Sequence, residues 1–258
     1  MATALVTGAT AGLGKALARA LAREGTALVL VARTRKDLEE TARQLRAAGA
    51  AHVDVLPADL ATATGCAAVT ARLTDREAPV DLLVNNAGMG YASSFSTNTV
   101  ADEEYLLDVN VRATLRLTHA ALGAMIPRRR GAVVNVASVA GLGPAWLAST
   151  YPASKAWTVN FTESLARSRQ VRESGVRLMA LLPGYTRTEF HQRAGIGTAW
   201  PPAWLWLDAD YVARTALRHL RRGAVLSVPS LRYKAAAWGL RHLPRTLTRP
   251  FAWEAPPR

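Results

Sequence analysis

Six apolar residues in a row, Ala27-Leu28-Val29-Leu30-Val31-Ala32, stand between Gly25 and a charged stretch. A strand with one face in water alternates apolar and polar residues, whereas an unbroken run suits a strand covered on both faces, as in a parallel sheet flanked by helices. Short runs of this kind recur at 4–6, 52–56, 81–85, 132–137, 177–182 and 225–228. Longer amphipathic stretches between most of them predict helices over about 12–24, 36–48, 62–77, 101–126, 152–173 and 209–221, with Gly25, Gly49, Gly131, Gly175 and Gly223 near their ends. The repeated strand–helix alternation predicts an α/β fold: a single-domain, Rossmann-type, doubly wound parallel sheet of about seven strands with helices on both faces. Residues 1–229 are read as that domain and 230–258 as a basic, partly amphipathic tail.

Composition narrows the classes. Half of the 258 residues are apolar and a fifth are charged, which suits an ordered globular chain and excludes a disordered one. Cys66 is the only cysteine, so no disulfide within the chain and no thiolate metal cluster can form, and a reducing cytosol is the expected setting. The N-terminal residues lack the pattern of an export leader, and no charge-free run reaches the roughly 20 residues that span a bilayer. A net charge of +13 would suit an anionic partner, but the excess is carried by arginine in an alanine-rich chain, as compositional bias alone produces. Neither a helix-turn-helix nor an aromatic RNA platform accompanies it, so no nucleic-acid partner is expected.

The first apolar run leads into Thr7-Gly8-Ala9-Thr10-Ala11-Gly12-Leu13-Gly14, and an amphipathic helix follows at once. Glycines there allow a tight turn and close approach of a pyrophosphate, whose charge the helix N-terminus receives. The strand before and the helix behind turn a weak motif into a dinucleotide site. At the end of the second strand, where an acid would bind the 2′-hydroxyl of NAD, the chain has Ala32-Arg33-Thr34-Arg35-Lys36. A guanidinium binds a 2′-phosphate through a charge-assisted fork, so NADP(H) is expected over NAD(H), read mainly by Arg33 with Arg35 or Lys36 assisting.

Ser138 stands near the end of the fifth strand, and Tyr151-Pro152-Ala153-Ser154-Lys155 opens a long helix thirteen positions later. Tyr151 and Lys155 are four apart and share a helix face. A free phenol has a pKa near 10, and a neighbouring ammonium together with an oxidised nicotinamide would lower it, fitting Tyr151 to exchange a proton with a substrate oxygen. Ser138 is placed to hydrogen-bond that oxygen.

Taken together, Thr7-Gly8…Gly12-Leu13-Gly14, Asn85-Asn86-Ala87-Gly88, Asn110, Ser138, Tyr151…Lys155 and Pro183-Gly184 resemble the short-chain dehydrogenase/reductase superfamily in order and spacing, over roughly residues 3–190. The resemblance implies an NAD(P)-dependent oxidoreductase that moves a hydride between nicotinamide and a carbonyl or alcohol. It makes Ser138, Tyr151 and Lys155 a catalytic triad, with Lys155 also on the nicotinamide ribose and Asn110 completing a proton relay through water. It further implies that Asp59 and Leu60 lie at the adenine, Asn86 and Ala87 near the adenosine ribose, Gly88 among the cofactor-binding residues, and Pro183, Gly184 and Thr188 around the carboxamide. Family habit implies a homodimer or tetramer.

Loops beyond the strand ends, about 89–98, 139–149 and 185–207, are expected to choose the substrate. Tyr91, Phe95, Trp146, Tyr185, Phe190, Trp200, Trp204 and Trp206 predict an apolar pocket for a ketone, aldehyde or secondary alcohol, or else a packed lid or subunit contact. The tail places Leu231, Ala235, Trp238 and Leu243 among Arg232, Lys234, Arg241 and Arg245, a pattern open to docking on protein or weak contact with an anionic membrane. Other classes fit less well. An epimerase or dehydratase of the extended relatives would need different glycine spacing and a longer substrate domain; a serine hydrolase lacks its nucleophile elbow around Ser138; zinc chemistry lacks ligand spacing among five scattered histidines. A nucleotide-sensing regulator would not need Ser138, Tyr151 and Lys155 together.

Overall fold

The computed structural model describes residues 2–143, 149–195 and 202–244. Seven strands form one sheet: β1 (Thr3–Thr7), β2 (Ala27–Ala32), β3 (Val53–Pro57), β4 (Leu82–Asn85), β5 (Ala132–Val136), β6 (Arg177–Leu181) and β7 (Leu226–Ser227). They are all parallel, in the order β3-β2-β1-β4-β5-β6-β7. The helices are α1 (Gly12–Ala22), α2 (Arg35–Ala47), α3 (Ala63–Thr74), α4 (Val100–Leu107), α5 (Thr114–Met125), α6 (Tyr151–Arg167), α7 (Arg169–Ser174), α8 (Phe190–Arg193), α9 (Ala209–Arg221) and α10 (Leu231–His242).

Alternation along each strand divides the core into two layers. Ala4 and Val6 of β1 join Leu17 of α1, Leu38 of α2 and Leu217 of α9, while Leu5 joins Val69 of α3 and Leu117 of α5 on the opposite face. Both faces of β1 are therefore dry, as the continuous apolar runs require. The strand order reverses between β1 and β4, and the crevice outside the carboxyl ends of these two strands is where a doubly wound sheet receives its ligand.

Two expected helices are interrupted. The stretch predicted as one helix over 101–126 contains a π-helical turn at Asp108–Ala113 between α4 and α5. The stretch over 152–173 breaks at Ser168, whose extended backbone (ψ 144°) ends α6 and whose hydroxyl caps α7 by accepting from the Val171 N–H. The tail helix α10 docks on its own subunit. Tyr233 is buried, accepts a hydrogen bond from the Tyr185 N–H (3.1 Å) and donates one to the Leu205 carbonyl (2.9 Å). Its ring lies so close to Gly184 that a Cβ there would stand 2.1 Å away. Arg241 pairs with Glu163 of α6 at 2.7 Å. Leu231 and Trp238, 82% and 61% exposed, face outward. Residues 245–258 lie outside the described residues.

Candidate active site

The glycine turn is built by contact. Gly8 and Gly12 take φ of +63° and +51°, the left-handed region that side chains rarely adopt. A Cβ at Gly14 would stand 2.3 Å from the Gly8 carbonyl oxygen and 2.4 Å from Asn86 Nδ2, so the turn closes only around a bare backbone. Thr7 and Asn86 lace it to β4. The Thr7 hydroxyl accepts from the N–H groups of Asn86 and Ala87, both at 2.9 Å, while Asn86 Nδ2 donates to the carbonyls of Thr7 (2.9 Å) and Gly8 (3.3 Å). Asn86 therefore acts on the turn with its side chain, and Thr7, the first residue of the glycine motif, is the hub that joins the two strand ends.

Behind the turn, α1 begins with no side-chain cap and no acid in its first turn, which leaves its N-terminal N–H groups and its positive dipole end to an anion. Thr10 is half-buried in the turn, and Leu13 points into the core. Thr188 comes from beyond β6 to meet Gly12, where a Cβ would be 3.0 Å from its own Cβ. A cavity of about 430 Å³ opens beside them, lined by Gly12, Lys15, Arg19, Arg187, Thr188 and Glu189, with Arg19 paired to Asp210 at 2.5 Å. These features fit a pyrophosphate-bearing cofactor.

The ends of β2 and β3 continue the crevice edge. Arg33 is exposed and donates to the Tyr105 hydroxyl at 3.2 Å, while Arg35 lies 3.8 Å from Glu39 on its own helix. Asp59 is half-buried and accepts from the Ala61 N–H at 3.0 Å. The Leu60 side chain is buried in the core with Val69 and Leu73 of α3.

On the other side of the switch point, α6 begins at Tyr151, with Pro152 in its first turn where the missing N–H costs nothing. Tyr151 and Lys155 are buried at 8% and 5% exposure. Lys155 Nζ lies 5.7 Å from the Tyr151 ring centre and donates to the Val136 carbonyl at 2.9 Å. Ser138 hydrogen-bonds the Tyr151 phenol and accepts from the Ala140 N–H. Burial pushes the phenol up to about 12, against a smaller lowering by the Ser138 hydrogen bond, and burial lowers the Lys155 ammonium to about 8. Desolvation is thus the dominant influence on the phenol, and it favours the protonated form, the form that can donate a proton.

Asn110 sits in the π-helical turn, 1% exposed. Its Nδ2 donates to the Met89 carbonyl (2.9 Å) and Ser154 Oγ (3.1 Å), and its Oδ1 accepts from the Met89 N–H (2.9 Å). Both amide hydrogens are thus committed to scaffolding, and the group can enter a relay only as an acceptor. Gly88 lies between the two polar groups, since a Cβ there would be 3.2 Å from both Asn110 Oδ1 and Lys155 Nζ. Asn85 belongs to a buried ladder instead, donating to Thr118 (3.1 Å) and to Asn135 (2.9 Å), which donates to Thr162 (3.0 Å).

Above Tyr151 the substrate loops are aromatic. Phe190 lies 5.6 Å from the Tyr151 ring centre, and His191 packs at 4.7 Å from Trp206 and 5.8 Å from Tyr185. Phe95 and Trp204 are exposed instead, at 60% and 63%. Trp146 and Trp200 lie outside the described residues. Among the described residues no cluster of His, Cys, Asp and Glu could hold a metal, and no helix is long and apolar enough to cross a membrane.

A parallel sheet with a glycine turn at its switch point and a paired tyrosine and lysine beside it defines a nicotinamide-dependent oxidoreductase. A sequence model of the short chain dehydrogenase family matches residues 2–197, and the chain belongs to that family. It is 33% identical over 205 residues to the ketoacyl reductase HetN of a Nostoc species, covering 76% of this chain and 70% of that protein. Among solved structures, a short-chain dehydrogenase from Sphingobium yanoikuyae in complex with NADPH is 32% identical, with a TM-score of 0.85, covering 100% of this chain and 99% of the other. The bulky-bulky ketone specific alcohol dehydrogenase from Comamonas testosteroni is 27% identical, with a TM-score of 0.80, covering 100% of this chain and 97% of its own.

Proposed function

We propose that the chain is an NADP(H)-dependent oxidoreductase that interconverts an apolar ketone or aldehyde and its alcohol, with Tyr151 as general acid and base. The observation that carries this reading is the cluster of half-buried Ser138 with buried Tyr151 and Lys155 at the carboxyl edge of the sheet, across the switch point from the glycine turn. The bound cofactor supplies or accepts the hydride. In reduction, the neutral phenol of Tyr151 gives its proton to the carbonyl oxygen, and Ser138 holds the same oxygen by a hydrogen bond. Lys155 grips the nicotinamide ribose, and Asn110 fixes the Gly88–Met89 backbone while its Oδ1 remains available to a relay water. Gly8, Thr10, Gly12, Leu13 and Gly14 receive the pyrophosphate with their backbone. Asn86 and Ala87 border the adenosine ribose, Asp59 and Leu60 the adenine, and Pro183, Gly184 and Thr188 the carboxamide. Phe190, Tyr185, His191 and Trp206 form the apolar side of the substrate pocket, in keeping with the relatives that act on bulky ketones and ketoacyl groups. Turnover of NADPH across a panel of apolar ketones and aldehydes tests this function, and no turnover with any of them would overturn it.

The preference for NADP(H) rests on Arg33, which among the described residues bonds to the neutral hydroxyl of Tyr105, and less on Arg35, which leans on Glu39. A charge-assisted hydrogen bond to phosphate is worth about 1.5–3 kcal/mol, so Arg33→Ala is expected to raise KM for NADPH roughly 10- to 100-fold and leave KM for NADH unchanged. Equal effects on both cofactors would remove Arg33 as the phosphate reader. The buried Cys66 thiol suits a reducing cytosol, and a homo-oligomer is the expected assembly. Contact with an anionic lipid surface would use the outward Leu231 and Trp238 stripe of α10. Flotation with anionic liposomes, lost in Trp238→Ser, tests that contact; no flotation of the wild type excludes it.

A further inference from the structure

Glu103 is a buried carboxylate outside the cluster just described. It sits in the first turn of α4, 5% exposed, and no cation pairs with it among the described residues. Burying such a charge is costly unless donors surround it, and its donors are specific. Oε2 accepts from both the N–H (2.9 Å) and the hydroxyl (2.5 Å) of Thr150, the residue immediately before Tyr151 at the start of α6. Oε1 accepts from Asn98 Nδ2 at 2.6 Å. Asn98 in turn accepts from the Ser93 hydroxyl and donates its backbone N–H to the Ser94 carbonyl. One carboxylate thus joins the 93–98 segment of a substrate loop to the residue just before the catalytic helix. These hydrogen bonds hold it ionised, below the usual carboxylate range despite its burial.

We propose that Glu103 is a positioning residue: it fixes the start of α6, and with it the Tyr151 phenol, in register with the 93–98 loop. An apolar side chain would fill the same space without this tie, so packing alone does not account for an acid here. The negative charge also lies at the N-terminal end of α6, where the helix dipole favours it. The role of Tyr151 in this inference rests on the proposed oxidoreductase activity, whereas the tie itself can be read without it.

The test is a polarity swap. In Glu103→Gln, one oxygen can still accept from Thr150, but the new amide opposes Asn98 Nδ2. The expected result is a fall in kcat of about tenfold with the Kd for NADPH unchanged, and faster hydrogen exchange at the Thr150 amide. Adding Asn98→Asp to Glu103→Gln restores an acceptor opposite the new amide and keeps the acceptor for Ser93, and kcat is expected to recover to within about threefold of wild type. Thr150→Val, which removes one donor and keeps the backbone N–H, should lower kcat in the same direction and covers the case in which Glu103→Gln fails to fold. An unchanged kcat in correctly folded Glu103→Gln, or no recovery in the double variant, overturns the proposal. Wild-type protein inactive on every carbonyl would overturn the enzymatic reading instead, while exchange at Thr150 would still report on the tie.

Discussion

Replacing Tyr151 by Phe is expected to lower kcat for carbonyl reduction about 10³-fold, because proton transfer by a placed side chain contributes roughly 10²–10⁴-fold. The ring remains packed on Phe190, so the Kd for NADPH and the melting temperature should stay near wild-type values. Retention of most of the turnover would show that the proton comes from another group. The pH dependence carries the same assignment. The phenol, held up at about 12, stays protonated through the working range, whereas Lys155, lowered to about 8, loses its charge there. Reductive kcat/KM, which reports the free enzyme, is therefore expected to be level below about pH 8 and to fall as pH rises through it. Stability shifts the other way. Lys155 binds fewer protons folded than unfolded between about 8 and its ordinary 10.5, so its contribution rises with pH over that window.

Gly14→Ala is expected to have the second-largest effect, on binding. The new Cβ would stand 2.3 Å from the Gly8 carbonyl oxygen, a backbone atom, and 2.4 Å from Asn86 Nδ2, so the turn itself must move. Overpacking of this kind costs about 1–3 kcal/mol of stability. Displacing the backbone N–H groups proposed to receive the pyrophosphate is expected to weaken NADPH binding about 100-fold, as measured by fluorescence titration or calorimetry. Folded Gly14→Ala protein with wild-type affinity would contradict the cradle drawn here.

The sheet was legible because burial on both faces writes itself as continuous apolar runs, and every strand begins and ends within one residue of its expected place. What interrupts the helices was less legible. The π-helical turn at 108–113 is held by Asn110 bonding to Met89 and Ser154, partners 21 and 44 residues away, and no local periodicity encodes such a tie. Ser168 is different: a serine between arginines, with its hydroxyl free to cap, carried a signal that the helical pattern around it outweighed. In the site, residue types and order pointed to Ser138, Tyr151 and Lys155, but their electrostatics came from depth of burial, which a motif does not state. The same holds for Glu103, which in sequence is one of two adjacent glutamates on an amphipathic helix and in the fold is the one turned inward.

In the proposed reaction Tyr151 gives the proton to the carbonyl oxygen as the carbonyl carbon receives a hydride from NADPH. NADPH deuterated at the transferring position, incubated with an apolar ketone and analysed by NMR, tests it most directly. One deuterium at the carbinol carbon of the alcohol is expected per NADPH oxidised, with about 10³-fold slower product formation by Tyr151→Phe. NADPH oxidised without labelled alcohol, or label transferred equally fast by Tyr151→Phe, would contradict it.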